Sequence, residues 1–160
     1  SNAMGEAATK SDRQQNQTRL WLNILRLHGL VFGDLNRQLL DETGLSLAKF
    51  DAMAQLARNP DGLSMGKLSG ALKVTNGNVS GLVNRLIKDG MVVKAMSADD
   101  RRSFSAKLTD AGLTTFKQAS EAHNRILAEL LRAVSDQDMV EASAALRGIL
   151  ESMQTGASLD

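Results

Sequence analysis

Val74-Thr75-Asn76-Gly77-Asn78-Val79-Ser80-Gly81-Leu82-Val83-Asn84-Arg85-Leu86-Ile87-Lys88-Asp89-Gly90 reads as one helix with two unlike faces. Val79, Leu82, Val83 and Leu86 fall at i, i+3, i+4 and i+7, a single apolar stripe. On the opposite side lie Gly77, Ser80, Gly81, Asn84 and Lys88, with Asn78 and Arg85 on the flanks. That side carries no carboxylate until Asp89. Each glycine inside a helix costs about 1 kcal/mol relative to alanine. Gly77 and Gly81 therefore make sense where a bulky partner must approach the backbone. A DNA major groove is such a partner, because it admits a helix and offers hydrogen-bonding base edges.

The flanking chain fits that reading. Upstream, Ser64 is placed to cap a short helix from Met65 to Leu72, with Met65, Leu68 and Leu72 inward. Lys73-Val74 is a tight connection, and Thr75 is placed to cap the helix that follows. Two short helices joined this way form a helix-turn-helix. Downstream, Gly90 stops the helix, and Met91 to Met96 is β-branched and apolar enough for a strand. Phe104, Ala106 and Leu108 alternate with polar residues, as a returning strand would. The polar loop Ser97–Ser103 between them makes a β-hairpin with a basic tip, the winged form of the motif.

Helices are expected on both sides of this lobe. Thr18 to Glu42 is helical in pattern and apolar on more than one stripe, which implies burial on two sides and contact with a second copy. Thr43-Gly44 ends it. Ser46 caps the next helix, whose inner side is Leu47, Phe50, Met53, Ala54, Leu56 and Ala57, and Asn59-Pro60-Asp61-Gly62 is a turn. Thr109 caps a further helix with Leu113, Phe116, Ser120, His123, Leu127, Leu130 and Val134 on one stripe. A last helix follows Ser135-Asp136-Gln137-Asp138 and uses Met139, Ala142, Leu146, Ile149, Leu150 and Met153. The expected fold is mainly α, about six helices, with a small β-hairpin wing and an intertwined helical dimerisation region. Its parts are a flexible N-terminus (1–16), a dimerisation helix (17–44), the winged lobe (45–112), C-terminal dimerisation helices (113–154) and a flexible tail (155–160). Ser1-Asn2-Ala3 before Met4 resembles the remnant of a removed tag.

Composition narrows the class. The 160 residues include 3% aromatics, one Pro and no Cys, which favours helix and excludes disulfides and thiolate metal sites. No apolar run reaches the roughly 18 residues of a membrane span and no signal peptide is visible, so a cytoplasmic protein is expected. Net charge is +1, but it is unevenly spread. Ser64 to Lys107 holds eight basic against three acidic residues, whereas the rest holds 11 against 15. A basic lobe on an acidic body suits a polyanion.

The chain resembles the MarR family of winged-helix transcriptional regulators. The resemblance rests on Val79–Leu86 followed by Lys88-Asp89-Gly90-Met91-Val92, and on Asp100-Arg101-Arg102 followed by Leu108-Thr109-Asp110-Ala111-Gly112. The latter is similar to the family's Asp-x-Arg…Leu-Thr-x-x-Gly signature. The resemblance implies a homodimer on a pseudo-palindromic operator in double-stranded DNA, acting as a repressor and released by a small aromatic or phenolic effector. It also implies that Arg102 reaches a minor groove with Arg101 beside it, and that Asp100 holds the wing. Narrow A·T-rich minor grooves attract such cations.

Chemistry suggests the remaining contacts. Thr75, Asn76, Asn78 and Ser80 are candidates for the major groove or backbone; Asn can pair bidentately with adenine. Ser64, Lys67 and Lys73 are candidates for phosphates. Each has a plainer role open to it: Thr75 as a helix cap, Asn76 and Asn78 as solvated side chains, Arg85 as a partner of Asp89 at i+4 or of a wing acid.

His28 lies near Trp21, Ile24, Leu25 and Phe32, while His123 lies in an apolar stripe. Two histidines without cysteine make a poor metal set, and an interior or interface role suits them better. A Trp21/His28/Phe32 pocket for an aromatic anion is the candidate effector site. No nucleophile–base set, phosphate loop or cofactor motif is visible; Ser64-Met65-Gly66-Lys67 lacks the upstream glycine of a phosphate loop. No enzyme is expected. The alternative to a DNA-binding regulator is a winged-helix protein-interaction module.

Overall fold

The computed structural model of the chain describes residues 2–72, 78–96 and 104–158, with side chains from 9 to 156. Six helices and a three-stranded sheet follow in the order α1 (Asn2–Thr43), α2 (Leu47–Ala57), β1 (Leu63–Ser64), α3 (Met65–Ala71), α4 (Val79–Lys88), β2 (Val92–Met96), β3 (Phe104–Leu108), α5 (Asp110–Leu130) and α6 (Asp136–Ser158). The chain divides into two compact units, residues 1–126 and 127–160.

The first unit has its core where α2, α3, α4 and the sheet meet. Leu39, Met53, Leu56, Leu68, Val83, Leu86 and Val92 are the largest side chains shut off from solvent. The sheet is antiparallel in the order β1-β3-β2, with Leu63 opposite Ala106, Lys94 opposite Ala106 on the other side, and Met96 opposite Phe104. The expected hairpin is present at the expected residues. The short strand β1 has no signal of its own, since two residues are too few for alternation. It exists because the Asn59–Gly62 turn, closed by Gly62 N–H donating to the Asn59 carbonyl at 2.8 Å, delivers Leu63 beside β3.

Helix ends follow side-chain chemistry. Ser46 and Ser64 accept from the backbone N–H groups of Lys49 and Lys67, each at 3.2 Å, as N-caps of α2 and α3. Gly44 and Gly90 take positive φ, +75° and +78°, just beyond α1 and α4.

Three expectations change. Helix α1 does not begin near Thr18 but runs back to Asn2, so the polar stretch 4–16 is helical. Its Ala, Gln, Lys and Arg are good helix formers, and no proline interrupts them. Helix α6 likewise continues through the expected tail to Ser158. The third concerns α5, whose buried residues are Gly112, Ala119, Ala122 and Ile126, with Phe116 and His123 half-buried and Leu113 exposed; Val134 lies beyond its end, also exposed. The stripe read from large side chains is thus rotated toward small ones, which let the helix backbone pack closely.

Candidate nucleic-acid interface

Helix α4 buries Leu82, Val83 and Leu86 and turns Ser80, Asn84, Arg85 and Lys88 outward. Its first turn is built differently from the sequence reading. Asn78, not Thr75, is the N-cap, its Oδ1 accepting from Gly81 N–H at 3.0 Å. A bidentate Asn78–adenine pair would need that same oxygen. Above Gly81 lie the ends of two neighbouring side chains. A Cβ at Gly81 would meet Asn78 Nδ2 at 3.3 Å and Arg85 Nη1 at 3.5 Å. Gly81 therefore makes room first for its own neighbours.

The alternative Arg85–Asp89 pair is not formed. Asp89 Oδ2 accepts from Lys49 Nζ at 3.0 Å, joining the start of α2 to the end of α4. Arg85 makes no ion pair among the described residues, and its guanidinium stays on the exposed side of α4.

The far end of α4 is held to α5. Met91 N–H donates to the Leu86 carbonyl at 2.9 Å and Gly90 N–H to Ile87 at 3.0 Å, which closes the helix around the left-handed Gly90. Thr109 then bridges. Its hydroxyl donates to the Gly90 carbonyl at 2.7 Å and accepts from Gly112 N–H at 2.9 Å, while its own N–H donates to the Met91 carbonyl at 3.0 Å. One residue is thus the N-cap of α5 and the anchor of α4.

In the sheet, Lys94 Nζ sits 4.1 Å from the centroid of the Phe104 ring. Ser64 is half-exposed, its Oγ engaged as the α3 cap, and Lys67 is exposed. The candidates Lys73, Thr75, Asn76, Gly77, Asp100, Arg101 and Arg102 lie outside the described residues. Among those described, the structure brings Asn78, Ser80, Gly81 and Arg85 together on α4 and places Ser64 and Lys67 on the preceding helix.

Known proteins share this arrangement. The MarR family model matches residues 43–103. A MarR family transcriptional regulator from Silicibacter pomeroyi, known from its crystal structure, is 94% identical; the match covers 89% of this chain and 98% of that one at a TM-score of 0.81. The chain belongs to the MarR family. The transcriptional regulator PecS of Dickeya dadantii is 28% identical over 104 residues, 64% of this chain and 63% of PecS, so the match spans under two thirds of that regulator. Sco3205 of Streptomyces coelicolor, a MarR family regulator crystallised in complex with DNA, shares the fold at 22% identity, covering 88% and 89% of the two chains with a TM-score of 0.77.

In this MarR-family chain the signature Leu108-Thr109-Asp110-Ala111-Gly112 is therefore the joint between the α4 end and α5. Sequence reasoning found Thr109 as a cap but not its second bond to Gly90, because that bond crosses 19 residues. It also missed Asn36, whose Oδ1 accepts from Leu47 N–H at 2.8 Å, and Glu42, paired in two bonds with Arg125 at 2.7 and 2.8 Å. The side-chain bond from Arg125 holds the Glu42 carboxyl below its ordinary range.

Trp21, His28 and Phe32 share one face of α1, and His28 stacks on Phe32 with ring centroids 4.9 Å apart. All three are exposed in the single chain. They continue the line of buried Leu35 and Leu39 beyond the lobe. His123, by contrast, is half-buried and stacks on Phe50 at 4.6 Å, with Phe116 on the same ring at 5.4 Å. Burial lowers the His123 pKa, against the pull of Asp51 and Asn124; burial raises that of Asp51, against the pull of His123.

Proposed function

We propose that this chain is a sequence-specific DNA-binding repressor that acts as a homodimer on a pseudo-palindromic operator. The observation that carries the reading is α4: apolar side packed, outer side free of carboxylates, N-terminal turn donor-rich, C-terminal end clasped to α5. Such a rigid helix fits a major groove, and two copies related by a two-fold axis would meet successive grooves about 34 Å apart. Arg101 and Arg102 would reach the minor groove, Asp100 would hold the wing, and Lys67 and Lys73 would contact phosphates. The DNA-bound state of Sco3205 supports the same use of the fold.

Dimerisation is supported by uncovered apolar surface. Trp21, Leu25, Leu30 and Phe32 on α1 and Val140, Leu150 and Met153 on α6 are exposed in the single chain. Patches of this kind mark interaction sites in soluble proteins. No described helix is long and apolar enough to cross a membrane. An aromatic acid at Trp21, His28 and Phe32 would release DNA by binding the lobe spacing that does not fit the operator. Titration with salicylate, followed by Trp21 emission, tests the effector; no change removes the pocket.

Selection of bound sequences from random duplex DNA tests the main reading. An enriched inverted repeat is expected. Enrichment of none would overturn it.

A further inference from the structure

The donors at the start of α4 have a pattern that narrows the base they read. Asn78 Oδ1 accepts from the Gly81 N–H, which commits one of its lone pairs and fixes the amide, so the end that Asn78 has uncommitted is Nδ2, a donor. Arg85 offers only donors. Both groups converge on the bare α-carbon of Gly81, at 3.3 and 3.5 Å from the point a Cβ would occupy. Sequence spacing explains why: positions 78, 81 and 85 share a helix flank, and long side chains lean back toward the N-terminus. Adenine presents an acceptor beside a donor in the major groove, whereas guanine presents two acceptors, N7 and O6. A donor-only pair matches the second pattern and not the first.

We propose that Asn78 and Arg85, flanking Gly81, form a guanine-reading pair that fixes one guanine in each half-site. This rests on the DNA-binding reading above and adds the base. Gly81 is part of the device, since a side chain there would stand between the two donors and the base edge. A phosphate is the other acceptor-only partner within reach of DNA, and the test separates the two.

Random duplex selection is run with the wild type, Asn78→Asp and Arg85→Gln. Aspartate keeps the cap oxygen but removes Nδ2, so the helix stays capped. Wild-type sites are expected to carry one invariant guanine per half-site. Replacing it with 7-deazaguanine should weaken binding about ten-fold, within the range of a good base contact. In Asn78→Asp the preference for guanine over other bases at that position should collapse, read as a ratio so that added charge cancels. Arg85→Gln should move the preference toward adenine. Wild-type half-sites without an invariant guanine would overturn the pair. So would variants that weaken every sequence equally with a shallower salt dependence, the mark of a phosphate contact. Wild type that enriches no duplex overturns the regulator reading and the pair with it.

Discussion

The α-carbon of Gly112 lies against the carbonyl of Met91 so closely that a Cβ would stand 2.1 Å from its oxygen. Nothing at that contact can yield cheaply, because the Met91 carbonyl also accepts from Thr109 N–H at 3.0 Å. Gly112→Ala should therefore push α5 off the end of α4. A loss of at least about 1–3 kcal/mol is expected, the range for forced overpacking. Urea unfolding would show it as a lower midpoint; an unchanged midpoint would mean the two segments slide freely.

Thr109 separates cap from bulk. Thr109→Val keeps the shape and loses both hydroxyl bonds, whereas Thr109→Ser keeps them. The valine variant should lose about 1 kcal/mol or somewhat more, the scale of a helix cap, and the serine variant much less. Equal losses in thermal unfolding would show that the methyl group, not the hydroxyl, matters.

The Phe50–His123 stack predicts a pH dependence with a definite sign. Burial depresses the His123 pKa below its ordinary 6.5, so near and below that value the unfolded chain binds a proton that the folded chain resists. Stability is then full above pH 6.5 and falls as pH drops through it toward the folded value. Asp51 acts oppositely: its raised pKa makes the folded carboxyl take up a proton above the ordinary 3.8, so its contribution rises on acidification in that lower range. His123→Phe should keep the stack on Phe50 and remove the loss between pH 7 and 6. Stability profiles of the two proteins that run parallel there would refute this assignment.

Leu25 lies on the exposed α1 face with Trp21 and Phe32. Leu25→Glu places a carboxylate in the surface assigned to the second copy, where burial without a partner is costly. Sedimentation should show a shift from dimer to monomer at micromolar concentration, with red-shifted Trp21 emission. A variant that stays dimeric would move the interface elsewhere.

What the amino-acid order revealed was mostly local. The stripe Val79, Leu82, Val83 and Leu86, the caps Ser46 and Ser64, and the alternation in Phe104–Leu108 each act over a few residues, and each is present in the structure. What it hid was long-range or small. The Lys49–Asp89 pair spans 40 residues and the Arg125–Glu42 pair spans 83, beyond any periodicity. Helix α5 buries Ala119 and Ala122, which hydrophobic patterning weighs lightly because it favours large side chains. The Asn78 cap was hidden for a different reason. Thr75 and Asn78 are both good cap residues, and spacing alone does not choose between them.

Asn36 gives α1 a second office. Its side-chain oxygen, from deep within the long helix, accepts the first amide of α2. The two helices are therefore geared: a screw motion of α1 by a single residue carries that oxygen about 100° around the axis and strips Leu47 of its acceptor. Phe32 stands one turn before Asn36 on the same helix. Exchange of the Leu47 amide is where such a rotation of α1 would register.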